Sequence, residues 1–257
     1  MVEQERIVKA LKEIGIEKGD KLLIHSSFKS LGPIEGGIET YIAALKQAVG
    51  EKGTLMFPTF TFGSVNAENP IFNIKTSPSC VGMIPEVFRH SEGVKRSLHP
   101  THSVAVWGKD RDYYIENHYE DDNCLDVNSP IFKLKENGGK ILLIGCSLGR
   151  NTMLHGVEVA CKVPYAFGAD YSKPEYHREY ISIDEDGVAH KKEFFHVFSR
   201  ASGYEHDFTR ITEIVDIKPV KLLEADCYIF DAKELWDTVV KAFEKDPFCL
   251  ARPLKTQ

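Results

Sequence analysis

KLLIHSSFKSLGPIEGGIETYIAALKQAVG, residues 21–50, holds a strand, a polar loop and a helix in direct succession. Lys21 to His25 is a short apolar run after the breaker Gly19-Asp20, the pattern of a buried strand. Ser26 to Gly37 is rich in Ser and Gly and reads as a loop. Ile38, Tyr41, Ile42, Leu45 and Val49 then recur at helical spacing up to Gly50. Strand, loop and helix in that order form the unit of α/β layer proteins.

The same alternation extends in both directions. Upstream, Ile7, Val8, Leu11 and Ile14 predict an amphipathic helix. Downstream, Thr54 to Phe57 reads as a strand stopped by Pro58, and Ser103 to Trp107 and Lys140 to Ile144 as two more. Residues 80–89 and 131–136 between them look helical. Beyond Pro164 the texture changes: 176–183 alternates in strand fashion, Asp184 to Gly187 supplies a turn and 188–197 returns, a predicted antiparallel hairpin. Leu222 to Phe230 reads as a late strand, and Leu235, Trp236, Val239, Val240 and Phe243 stripe a closing helix over 232–243. The expected class is α/β with an additional antiparallel element in the C-terminal half, in a single domain over 1–257 that can be built of two closely packed halves.

Composition narrows the function. Hydrophobic residues make up 42% and charged residues 27% of 257, the balance of a globular enzyme. The net charge of -6, with Lys191-Lys192 as the longest basic cluster, excludes a phosphate-backbone reader, so nucleic acid is not an expected partner; a mild acidic excess suits a cationic small molecule. The N-terminal helix lacks a long apolar stretch and is read as neither signal peptide nor membrane span, which implies a cytoplasmic protein without membrane attachment. The six cysteines form no C-x-x-C pair and read as buried free thiols.

Three polar segments can carry chemistry. In His25-Ser-Ser-Phe-Lys-Ser-Leu-Gly32, backbone N–H groups, hydroxyls and one lysine near a helix start make a cradle suited to a pyrophosphate, although an ordinary connection has the same composition. Arg96-Ser-Leu-His-Pro-Thr-His-Ser103 runs straight into a strand, where α/β proteins assemble sites, or else is an extended turn before Pro100. In Asn151-Thr-Met-Leu-His-Gly-Val-Glu158, a helix capped by Thr152 or Asn151 would put His155 and Glu158 on one face, a base with its orienting carboxylate or a core histidine. His99, His102, His155 and Glu158 could be metal ligands by type, but no H-E-x-x-H or comparable frame is present, so no metal is expected.

These segments, together with M-F-P-T-F at 56–60 and S-P-I-F at 129–132, resemble the aminoglycoside 3-N-acetyltransferase family over most of the chain. Leu125-Asp-Val-Asn128 stands where that family often has a glycine-rich stretch, which bears on the acceptor more than on the reaction. The resemblance implies a three-layer α/β/α fold with a mixed central sheet and acetyl-coenzyme A (acetyl-CoA) as co-substrate. It implies coenzyme contacts from Ser26, Ser27, Lys29, Ser30 and Leu31, and a thioester end lined by Ser97, His99, Ser103 and Val104. His155 matches the family's base and Glu158 its partner. The expected reaction is direct attack of an aminoglycoside 3-amino group on the thioester, with backbone N–H groups or the Ser103 hydroxyl holding the oxyanion; a homodimer is compatible. Three rivals stay open: an acyl-enzyme on Cys146 or Ser103, an acetyltransferase for another amine, and a coenzyme A-binding protein without transfer activity.

Overall fold

The computed structural model describes residues 1–123, 125–167, 177–195 and 203–254. In chain order the strands are β1 (Lys21–Ser26), β2 (Thr54–Pro58), β3 (Ile71–Asn73), β4 (Lys95–Arg96), β5 (Val104–Gly108), β6 (Lys140–Ile144), β7 (His177–Ile183), β8 (Ala189–Phe195), β9 (Tyr204–His206), β10 (Val220–Leu222), β11 (Ala225–Asp231) and β12 (Ala251–Pro253). The helices are α1 (Gln4–Glu13), α2 (Gly37–Val49), α3 (Met83–Arg89), α4 (Arg111–Ile115), α5 (Pro130–Glu136), α6 (Met153–Cys161), α7 (Pro164–Phe167) and α8 (Ala232–Lys245).

Seven strands form the central sheet in the order β10-β11-β6-β1-β2-β5-β4. The middle three, β6, β1 and β2, run parallel, and antiparallel strands flank them on both sides. Successive strand residues point to opposite faces, and this alternation divides the apolar residues between two cores. Leu23, Met56, Val106 and Leu143 pack with Leu134, Leu154 and Leu235 of α5, α6 and α8. Leu22, Ile24, Phe57 and Leu142 pack on the other face with Leu11, Tyr41 and Phe88 of α1, α2 and α3. The result is the three-layer α/β/α arrangement with a mixed sheet. Each fully buried Leu or Ile in these layers contributes roughly 1.5–3 kcal/mol.

The predicted hairpin is present as β7 and β8, which lie antiparallel from His177↔Phe195 to Ile183↔Ala189, while its outer positions 176, 196 and 197 fall outside the described residues. Unexpectedly β3 joins it in parallel, so the small sheet is three-stranded and has its own core around Phe72, Tyr180 and Phe194.

Other boundaries differ for local reasons. Pro58 is the last residue of β2 rather than its stop, and α3 begins at Met83, after Gly82 at φ 129°. The single late strand over 222–230 is in fact a hairpin of β10 and β11. Its two-residue turn places Leu223 at φ 54°, a left-handed conformation for which leucine gives no sequence signal. Of the cysteines, Cys227 is buried as expected, but Cys80 is exposed and Cys146, Cys161 and Cys249 are partly so; Cys124 lies outside the described residues. Among the described residues no helix is long and apolar enough to cross a membrane.

Candidate active site

The parallel strands β6, β1 and β2 all end on one edge of the sheet, and antiparallel β5 begins there: Ser26 pairs with Ile144, and Pro58 with Val104. Loops leaving the carboxyl edge are where α/β sheets assemble sites. All three polar segments fall on this edge, after β1, after β6 and before β5.

The segment after β6 builds the α6 corner. Thr152 holds the N-cap position of α6 without a side-chain cap bond, and Asn151 Oδ1, one residue earlier, accepts the Met153 N–H at 3.2 Å. Helical spacing then brings His155 Nδ1 to 2.7 Å from Glu158 Oε2. Glu158 is fully buried, whereas 18% of the His155 side chain is exposed, so the carboxylate is the fixed partner and the imidazole the accessible one. A hydrogen bond from Nδ1–H to Glu158 selects the tautomer whose basic nitrogen is Nε2. His206 packs edge-on against the ring at 4.7 Å and Phe208 at 4.5 Å between centroids. Burial, then the adjacent Glu158 carboxylate, raises the Tyr165 phenol, which stays protonated beside that carboxylate. Tyr165 Oη and Glu158 Oε1 are both sealed from solvent, a donor and an acceptor outside strict hydrogen-bond geometry in the static structure. Gly156 lets α6 approach α8 closely, since a Cβ there would lie 3.0 Å from the Trp236 ring.

Between this corner and β1, Thr152 Oγ1 lies 3.3 Å from His25 Nε2. His25 keeps some surface as a residue, but burial of its ring drives the imidazole down to about 3, so it is neutral at physiological pH. Beside it opens a cleft of about 630 Å³, lined by Lys29, Ser30, Gly145, Ser147, Glu224 and Asp226 among others. Gly145 sits at φ 58°, and a Cβ on it would fall 1.6 Å from Ser30 Oγ, so only glycine allows the two loops to meet. His155 does not line the cleft, but Thr209 does, and its neighbour Phe208 packs on the His155 ring.

The profile described as aminoglycoside 3-N-acetyltransferase matches residues 23–244. The chain belongs to the aminoglycoside 3-N-acetyltransferase family. It is therefore an acyltransferase of that type. It is 28% identical to aminoglycoside N(3)-acetyltransferase III of Salmonella sp over 94% of this chain and 91% of that one. It superposes on the crystal structure of aminoglycoside acetyltransferase AAC(3)-IIb with a TM-score of 0.81 at 25% identity, covering 96% of this chain and 98% of that one. It shares the fold of AAC-IIIb in a binary complex with CoASH, with a TM-score of 0.77 at 22% identity over 95% and 97% of the two chains.

The residues that the family resemblance assigned to the coenzyme divide into two groups. Lys29 and Ser30 line the cleft. Ser26 Oγ is buried without a partner, and Ser27 spends its N–H on Ile144 O and its carbonyl on Ser30 Oγ. The Leu31 side chain is buried in the apolar core under α1 and α2, so a ligand can meet only its backbone.

The second group sits at the β5 corner, about 14 Å across the sheet from β6 by three strand spacings. There Ser97, His99, Ser103 and Val104 are at most 1% exposed. Ser97 Oγ accepts the Val104 N–H and lies 2.8 Å from His118 Nδ1, and His99 Nδ1 accepts the His102 N–H at 3.0 Å. Ser103 Oγ donates to Thr59 O and accepts from Arg96 Nε, so its hydroxyl is not available as an oxyanion donor or nucleophile. These four residues are thus buried at this corner, with the Ser97 and Ser103 hydroxyls engaged by protein groups. Cys146 does face the cleft, but burial raises its thiol away from the reactive thiolate.

His99 and His102 do not join His155 and Glu158 either; the imidazole brought to that pair is His206. Sequence reasoning missed His206 and Phe208 because they reach α6 from a distant segment, and Tyr165 because it follows α6 in the short helix α7 with no motif of its own.

Proposed function

We propose that this protein transfers acetyl from acetyl-CoA to the 3-amino group of an aminoglycoside, with His155 as general base and Glu158 as its orienting partner. One observation carries the reading: a partly exposed imidazole held at 2.7 Å by a fully buried carboxylate, on the sheet edge that also bears the cleft. An aminoglycoside amine is mostly protonated near neutrality and must lose a proton before it can attack. His155 Nε2 takes that proton while Glu158 stabilises the imidazolium. The amine nitrogen then bonds to the thioester carbonyl carbon, the C–S bond breaks as the tetrahedral adduct collapses, and the proton on His155 passes to the departing sulfur. Lys29 and Ser30, in the cleft, are the groups suited to the coenzyme's phosphates. Glu224 and Asp226, which line the same cleft, favour a cationic acceptor approaching this region. This chemistry belongs in the cytoplasm, where the coenzyme is made.

Thiol-release kinetics with several aminoglycosides and simple amines, followed by mass mapping of the product, test the proposal. Release with acetyl on the 3-nitrogen supports it. Release only with another amine reassigns the acceptor, and coenzyme binding without any release leaves a binding protein.

A further inference from the structure

We infer that His155, Glu158 and His206 together form a binding site for a zinc-like divalent cation, and that such an ion switches the acyl transfer off. The donor atoms of the three side chains lie within 4.8 Å of one another. Two imidazoles and one carboxylate are a donor set that zinc accepts with three protein ligands and an open fourth position. Tetrahedral bonds of about 2.1 Å put neighbouring donors about 3.4 Å apart, so only a modest side-chain adjustment is needed. His206 can make it, because it is exposed and sits on the short strand β9, whereas Glu158 is buried and fixed. The set has a graded build: a buried anion at the base, a half-buried imidazole above it and an exposed imidazole at the rim.

The ion takes up lone pairs, so it binds neutral imidazoles and displaces the proton shared between His155 Nδ1 and Glu158 Oε2, releasing it to solvent. With Glu158 drawn onto the metal, His155 loses the partner that would stabilise its imidazolium, and it no longer serves as a proton acceptor. The inhibition half of this inference rests on His155 being the base; the binding half does not. His206 acts here only as a metal ligand.

The test is a titration of the intact protein with zinc chloride against a chromophoric chelator, repeated with cobalt(II), whose visible absorption reports tetrahedral coordination. The variants are His206→Ala and His206→Asp. Alanine is expected to weaken zinc binding at least tenfold, since even outer-sphere changes at zinc sites cost about 10–100-fold. Aspartate, which restores an oxygen donor, is expected to recover a substantial part of that loss, which a purely structural role for the ring would not produce. Equal zinc affinity in the parent and in His206→Ala, or no tetrahedral cobalt spectrum in the parent, overturns the site. Acetyl transfer is assayed on the same samples, and half-inhibition in His206→Ala should need at least tenfold more zinc. Binding that requires His206 yet leaves turnover untouched keeps the metal site and removes His155 from the base role.

Discussion

The two polar corners of the carboxyl edge hold similar residue types and do opposite things with them. At the β5 corner, Arg96 gives its Nε to Thr59 and Ser103 hydroxyls and its remaining donors to the carbonyls of Thr59, Ile74 and Ser77, and it stacks over Phe72. Burial, then the nearby Arg89 cation, pushes its guanidinium downward, to about 9, and it stays charged with every group it bonds accepting. Three histidines pack nearby, with His99 and His118 centroids 4.8 Å apart. At the α6 corner the His155 imidazole meets a buried carboxylate and remains partly accessible. The first corner spends the Arg96 donors and the Ser97 and Ser103 hydroxyls on protein partners, as a scaffold does. The second leaves proton-accepting capacity at the surface, which is what a reaction can use.

The comparison breaks most directly at His155. His155→Ala should lower kcat by about a hundredfold to ten-thousandfold, the usual contribution of a positioned base. Coenzyme affinity should hold, while Tm should fall, because alanine strands the buried Glu158 carboxylate; kcat is therefore read per folded molecule. Near-normal turnover would return the α6 corner to the status of a scaffold.

The converse change at the other corner is Arg96→Met, which removes the guanidinium over Phe72 and strands several buried acceptors. A stability loss of about 3 kcal/mol is expected, or a Tm about 6–12 °C lower. Thermal unfolding and kcat per folded molecule, measured together, separate the roles: an unstable but active variant supports a scaffold, and a stable but inactive one would make the β5 corner part of the catalytic site.

This division also explains what could be read in the sequence. The three layers were legible because strands such as Leu22-Leu-Ile24 alternate between two cores, and the helices covering them carry regular apolar stripes. His155 and Glu158 were legible because three residues of helix fix their geometry locally. The contacts of the β5 corner were not legible because a motif records residue types and not direction: Ser103 Oγ faces Thr59, 44 residues away in sequence. His206 was invisible for the same reason, since tertiary packing alone brings it to α6. The β10–β11 turn escaped because Leu223 occupies a conformation normally announced by Gly, Asn or Asp.

A smaller effect sharpens the α6 corner from beneath. Tyr165→Phe keeps the ring against Phe248 and Phe243 but removes the protonated hydroxyl beside Glu158. Loss of one stabilising contact to a buried carboxylate corresponds to about a fivefold to tenfold drop in kcat, with KM for the coenzyme unchanged. An equal fall in stability and none in kcat would make the phenol a packing residue only.

His25 stands between the corners and gives the smallest signal, a pH dependence with a definite sign. Its folded-state pKa is lowered to about 3 by burial, against an ordinary value near 6.5. The unfolded chain therefore binds a proton that the folded ring refuses throughout the window from about 6.5 down to about 3. Stability from this group is fully present above that window and is lost progressively as pH falls through it. At pH 5.5 the loss is on the order of 1 kcal/mol, or about 2–4 °C in Tm. Glutamine does not titrate, so His25→Gln should show a shallower fall of Tm between pH 7 and 5.5 than the parent. Parallel Tm-against-pH curves would mean that the His25 ring is protonated in the folded state, and that the floor between the two corners is wetter than its packing implies.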